Sequence, residues 1–85
     1  MTTLPPLFAS HGLEVVYGTD PERAGAFLEL GKRSGSGWEV LAEMFSPEAP
    51  GELTFWMDGE LPLNVLEAFV EYARDRLAEP GWGAA

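Results

Sequence analysis

The stretch "GAFLELGKRSGSGWEVLAEMF", residues 25–45, decides the fold, because it can be built in two ways. As two strands, Ala26, Leu28 and Leu30 face one side while Phe27 and Glu29 face the other. In its second half Val40, Ala42 and Met44 then oppose Glu39, Leu41, Glu43 and Phe45, and "RSGSG" becomes a glycine-containing hairpin loop. As two short helices, "TDPE" (19–22) is a capping box with Pro21 in the first turn, and Ala24, Phe27 and Leu28 fall at helical spacing. "SGWE" (36–39) offers a second capping box, and the residue types of "EVLAEMF" suit a helix at least as well as a strand.

Two features favour the strands. Gly25 and Gly31 would stand inside the first helix, each costing about 1 kcal/mol relative to alanine. On the strand reading, Glu14, Glu29, Glu39, Glu43 and Glu52 all take the outward parity, which makes one consistent polar face.

Working outward, "GLEVVYG" (12–18) alternates as a strand, with Leu13, Val15 and Tyr17 inward and Glu14 and Val16 outward. "GELTFWMDG" (51–59) does the same, with Leu53, Phe55 and Met57 inward and Glu52, Thr54, Trp56 and Asp58 outward. A final helix starts near Pro62, carries the apolar stripe Leu66, Phe69, Val70, Ala73 and Leu77, and stops at Pro80-Gly81. The expected fold is α+β: a four-stranded antiparallel meander followed by one long C-terminal helix packed on the sheet. The alternative has two strands and three helices, with residues 21–45 helical. Either way residues 1–85 make one small domain, with an extended segment over 1–10 that follows from Pro5-Pro6 and a frayed tail over 80–85.

A domain of this size buries only about 60–65% of the surface its unfolded chain exposes, and no cysteine is present to add a disulfide. Charge is the strongest compositional feature. Fourteen acids against five bases give a net charge of −9. Between Ser34 and Ala73 there is no lysine or arginine, while Glu39, Glu43, Glu48, Glu52, Asp58, Glu60, Glu67 and Glu71 accumulate. Phosphate backbones and anionic membranes would be repelled, so neither nucleic acid nor membrane is an expected partner, whereas a basic protein would be attracted. The amino-terminal "MTTLPPLFAS" has no basic residue and no long apolar run, so a soluble, cytoplasmic protein is expected.

Motifs for chemistry are absent. The single histidine, His11, sits beside Ser10, but side chains of neighbours on an extended chain point apart, and no nucleophile-elbow pattern accompanies them. "MDGELPLN" (57–64) offers scattered oxygen ligands interrupted by Pro62 and two leucines, which is a poor calcium loop. "GKRSGSG" (31–37) resembles a phosphate loop only in composition; Lys32 and Arg33 are expected to neutralise nearby glutamates. No cofactor, metal or catalytic residue is expected.

Two surfaces stand out instead. Val16, Phe27, Leu41 and Trp56 place one large apolar residue per strand on the outward parity and would align as an apolar band rimmed by acids. Glu67, Glu71, Asp75 and Glu79 recur every four residues along the last helix, a negative rail that repels itself by roughly 0.2–0.5 kcal/mol per pair. Together they point to a small, acidic, non-enzymatic protein-binding module, an inhibitor or immunity-type protein masking a basic partner. The alternative is a self-associating accessory subunit, a homodimer through the outer sheet face.

Overall fold

The computed structural model describes residues 3–48 and 52–78. In chain order these form a short helix α1 (Pro6–Ser10), strands β1 (Glu14–Asp20), β2 (Gly25–Ser34), β3 (Gly37–Pro47) and β4 (Thr54–Met57), and a long helix α2 (Leu63–Ala78). The strands make one antiparallel sheet in the order β1-β2-β3-β4, a meander with α2 packed on one face. Residues 25–34 and 37–45 are therefore strands, joined and preceded by turns, and the three-helix alternative falls.

The turns follow from their residues. Between β2 and β3 the connection is two residues long, with Ser34 opposite Gly37. Gly35 stands at its first central position with φ +61°, where a type II′ turn places its glycine. Between β1 and β2, the Asp20 carboxylate accepts the Glu22 and Arg23 backbone N–H groups at 3.0 and 3.3 Å, and Ala24 takes φ +53° to close the loop.

The expected extended segment over residues 1–10 is corrected in part: Pro6–Ser10 is helical. Pro5 stays extended (ψ 134°), as a residue before proline must, and Pro6 then occupies the first turn, where its missing N–H costs nothing. α1 is anchored where the Phe8 carbonyl accepts the Leu13 N–H at 2.8 Å. The expected frayed tail over 80–85 lies outside the described residues.

The core sits between the sheet and α2. Leu28, Leu30, Ala42 and Met44 rise from the two central strands to meet Val65, Phe69 and Ala73 of α2, with Phe8 closing one end. Phe8 meets both Phe69 and Tyr72 edge-on, with ring centroids 6.4 and 6.2 Å apart. The helix is turned by about one position from the expected stripe. Val65 is fully buried, whereas Leu66 and Val70 lie half-buried on its flank.

A bulge breaks the sheet's alternation. Leu30 opposes Ala42 but Gly31 opposes Val40, so Leu41 is an extra residue on β3. Beyond it the parity of β3 inverts: the register puts Val40 and Trp38 on the outer face with Gly31, and Leu41 packs against the core cluster. Among the described residues, no helix lies over the outer face. Three aromatic rings on it occupy the space that a side chain would take at three glycines: Phe27 at Gly18, Phe45 at Gly25 and Trp38 at Gly31. A Cβ at Gly31 would run into both the Trp38 ring and the Glu39 carbonyl.

Two substitutions test these layers by urea unfolding. Phe69→Ala, which empties the centre of the core, is expected to cost about 3–5 kcal/mol. Gly31→Val, which lifts Trp38 off the outer face and pushes on β3, is expected to cost about 1–3 kcal/mol.

Candidate functional site

The expected apolar band does not assemble. Of its four residues, Leu41 is carried by the bulge to the core side, and Phe27 is half-buried over Gly18. Val16 is also half-buried and faces Glu29 across the strand pair. Trp56 alone of the four remains exposed, at 50%. The extra residue at 41 removes the parity on which the band was counted.

Polar contacts fill the rest of the outer face. Glu29 and Glu43 stand directly opposite each other on β2 and β3, a like-charge pairing that destabilises a sheet unless each carboxylate finds a cationic or N–H partner. Glu29 accepts the Trp38 indole N–H at 3.0 Å. Glu43 receives both terminal nitrogens of Arg23 at 2.9 Å, a bidentate pair. Arg23 also donates its Nε to Asp20 at 2.6 Å, and its guanidinium lies 4.2 Å above the Phe45 ring. This cation locks the β1–β2 turn onto β3. At the far end of the hairpin Arg33 pairs with Glu14 at 3.0 Å and Lys32 with Glu39 at 3.7 Å, the neutralising role expected of this basic pair.

The exposed apolar side chains gather elsewhere. All four residues of β4 are exposed, with Phe55 at 42%, Trp56 at 50% and Met57 at 38%; Leu53, just before the strand, stands at 42%. Phe55 and Met57 belong to the inner face by register, opposite Met44 and Ala42. As the last strand of the meander, β4 lies at the margin of the area that α2 covers. Phe55 reaches Phe69 at a centroid distance of 6.3 Å with the rest of its ring open.

Between the flank of α2 and Leu53, the residue just before β4, lies an open groove of about 740 Å³, lined by Leu53, Leu66, Val70 and Ala78 together with Glu67, Glu71, Arg74 and Asp75. Three of the four acids of the expected rail, Glu67, Glu71 and Asp75, thus border an apolar floor. Glu79 lies outside the described residues. Trp56, opposite Glu43 on β3, faces away from α2, so it is the rail and Leu53, the residue just before the greasy strand, that the structure brings together, an association the sequence did not reveal. Its signal was the strand order, since a meander leaves its last strand at an edge.

Among the described residues, no group of three or more His, Asp or Glu side chains is placed to hold a metal ion, and no helix is long and apolar enough to cross a membrane. Hydrogen bonds from the Arg23 side chain hold the Asp20 carboxyl below its ordinary value of 3.8, and the same contacts, that to Glu43 foremost, raise the pKa of Arg23. A lowered Asp20 contributes stability above the ordinary carboxylate range and loses it as pH falls through its folded-state value. Arg23→Ala is therefore expected to move the Asp20 titration upward toward that of a free aspartate, read by NMR of its side-chain carboxyl.

Set beside known protein families, curated proteins and solved structures, the chain matches none of them.

Proposed function

We propose that this protein is a non-catalytic acidic module that captures a cationic polypeptide in the groove between Leu53 and α2. The observation that carries this reading is the meeting of Glu67, Glu71 and Asp75 with Leu53, Leu66 and Val70 in one open groove beside the exposed strand β4. An apolar floor supplies affinity by burial, and charges at its border supply steering and selection by sign.

Intramolecular pairing sharpens that field. Of five basic residues, Arg23, Lys32 and Arg33 are engaged with carboxylates on the sheet, far from the groove-lining acids in sequence. Among the described residues of the groove lining, Arg74 alone brings positive charge, against three acids. An inhibitor or immunity-type protein that masks a basic protein fits this arrangement.

Self-association through the outer sheet face has less to support it, since Leu41 has left that face and Arg23 lies across Phe45. The capture reading is tested by fluorescence anisotropy with labelled decapeptides alternating lysine with valine, or glutamate with valine. The lysine peptide is expected to bind and to weaken by about tenfold or more from low to high salt. Replacing Glu67, Glu71 and Asp75 together with lysine is expected to abolish that binding. Equal binding of the glutamate peptide, or none of the lysine peptide, overturns the reading.

A further inference from the structure

The sheet has two edges, and they are finished differently. β1 is backed by α1, which packs beside it, and its residues Val15 to Gly18 are half-buried. β4 has every residue exposed and no described element beyond it. A bare edge strand rich in apolar residues is a template for another strand, and folded proteins ordinarily blunt such edges with lysine, proline or a covering loop. The sequence "TFWM" has none of these within the strand.

The backbone of that edge can be assigned. The Asp58 N–H donates to the Leu41 carbonyl at 3.0 Å, so Asp58 points its amide toward β3. Strand alternation then directs the Thr54 and Trp56 backbone groups to β3 as well, opposite Phe45 and Glu43. The N–H and C=O groups of Phe55 and Met57 consequently face away from the sheet, two residues apart, a ladder with no next strand among the described residues.

The groove begins at Leu53, the residue that leads into this strand. The chain reverses between β4 and α2, so the helix runs back along the strand, with Phe55 against Phe69 and Leu53 in the groove wall. Glu67, Glu71 and Asp75 recur every four helical residues, a rise of about 6 Å. Alternate side chains of an extended chain recur every two residues, about 6.6–6.8 Å. The two repeats are commensurate over three positions.

We propose that the partner enters as a strand: an extended cationic segment pairs with the free edge of β4 and continues the sheet by a fifth strand. Its alternate lysine or arginine side chains lie on the α2 side, with their aliphatic stems over Leu53, Leu66 and Val70 and their charges at Glu67, Glu71 and Asp75. Its intervening apolar side chains lie on the opposite face, beside Trp56. Charge selects this occupant over a second copy of the chain, because a β4-to-β4 dimer would join two molecules of net charge −9. The proposal rests on the capture reading and adds the geometry of the bound segment.

The test uses the full chain and the lysine–valine decapeptide, with two N-methylated versions that block alternate sets of peptide amides. Strand addition requires the two versions to differ: methylating the set that faces β4 is expected to weaken binding by about tenfold or more, while the other set leaves it unchanged. Hydrogen exchange by NMR is expected to show the Phe55 and Met57 amides slowed by the peptide. Met57→Pro, which removes an outward N–H and spares the β3 ladder, is expected to weaken binding similarly; if it does not fold, the methylated peptides still decide. Equal binding of both methylated peptides, with Glu67, Glu71 and Asp75 still required, overturns strand addition and leaves the capture reading standing. Loss of all lysine-peptide binding overturns both. A dimer in sedimentation whose Phe55 and Met57 amides are already protected assigns the edge to a second copy, and binding seen only after removal of residues 79–85 assigns it to the chain's own tail; either result overturns the proposal.

Discussion

A four-stranded sheet has two faces, and the described residues supply one long helix with which to cover them. That constraint shapes the rest of the molecule. α2 takes the face bearing Leu28, Leu30, Ala42 and Met44, and with Phe8 it completes the core. The other face must be stabilised within its own thickness. It is, by rings laid over glycines and by Arg23, which joins a turn, a carboxylate on β3 and the Phe45 ring in one contact set. Glycine in a strand interior ordinarily weakens it, and here the space it leaves is taken by a cross-strand aromatic side chain.

A single helix also cannot shield a sheet evenly. Burial is complete at Leu30, Ala42, Val65 and Phe69 and falls away toward β4, where Phe55 and Met57 face the core side yet stay substantially exposed. The flank of α2 that carries Leu66 and Val70 overlooks this margin, and the acids lie beside them. The same shortage of cover that forces the outer face to seal itself leaves an open, charged seam on the inner one. Repulsion along Glu67, Glu71 and Asp75 is a small penalty for the helix, since like charges at this spacing cost only tenths of a kcal/mol per pair and burial of Phe69 and its neighbours exceeds that many times.

The fold was legible because period-two alternation in "GLEVVYG" and "LTFWM" and the apolar stripe of α2 point to the same architecture, with Gly25 and Gly31 arguing against helices in between. What escaped was what alternation cannot carry. A bulge adds one residue without a compositional mark, so the faces of Leu41 and Val40 were exchanged. Pro5-Pro6 reads as extended although its second proline opens α1. The acids of the rail were legible from their spacing alone, but their neighbour Leu53 was not, since it lies apart from α2 in sequence and joins it through the reversal after β4.

The bulge at Leu41 makes the β2–β3 hairpin a ribbon with a half-twist of identity. Between its root and the bulge, odd-numbered residues of β3 look outward; between the bulge and its tip, even-numbered ones do. The tip and the root are thus two differently phased pieces sharing one backbone. Lengthening or trimming the tip in matched pairs would preserve both phases, while a single-residue change anywhere along β3 would turn over one piece relative to the other. Trp38 could then no longer lie on Gly31 while Ala42 stays in the core. The length of this hairpin is in that sense quantised, and position 41 is where its two counting systems meet.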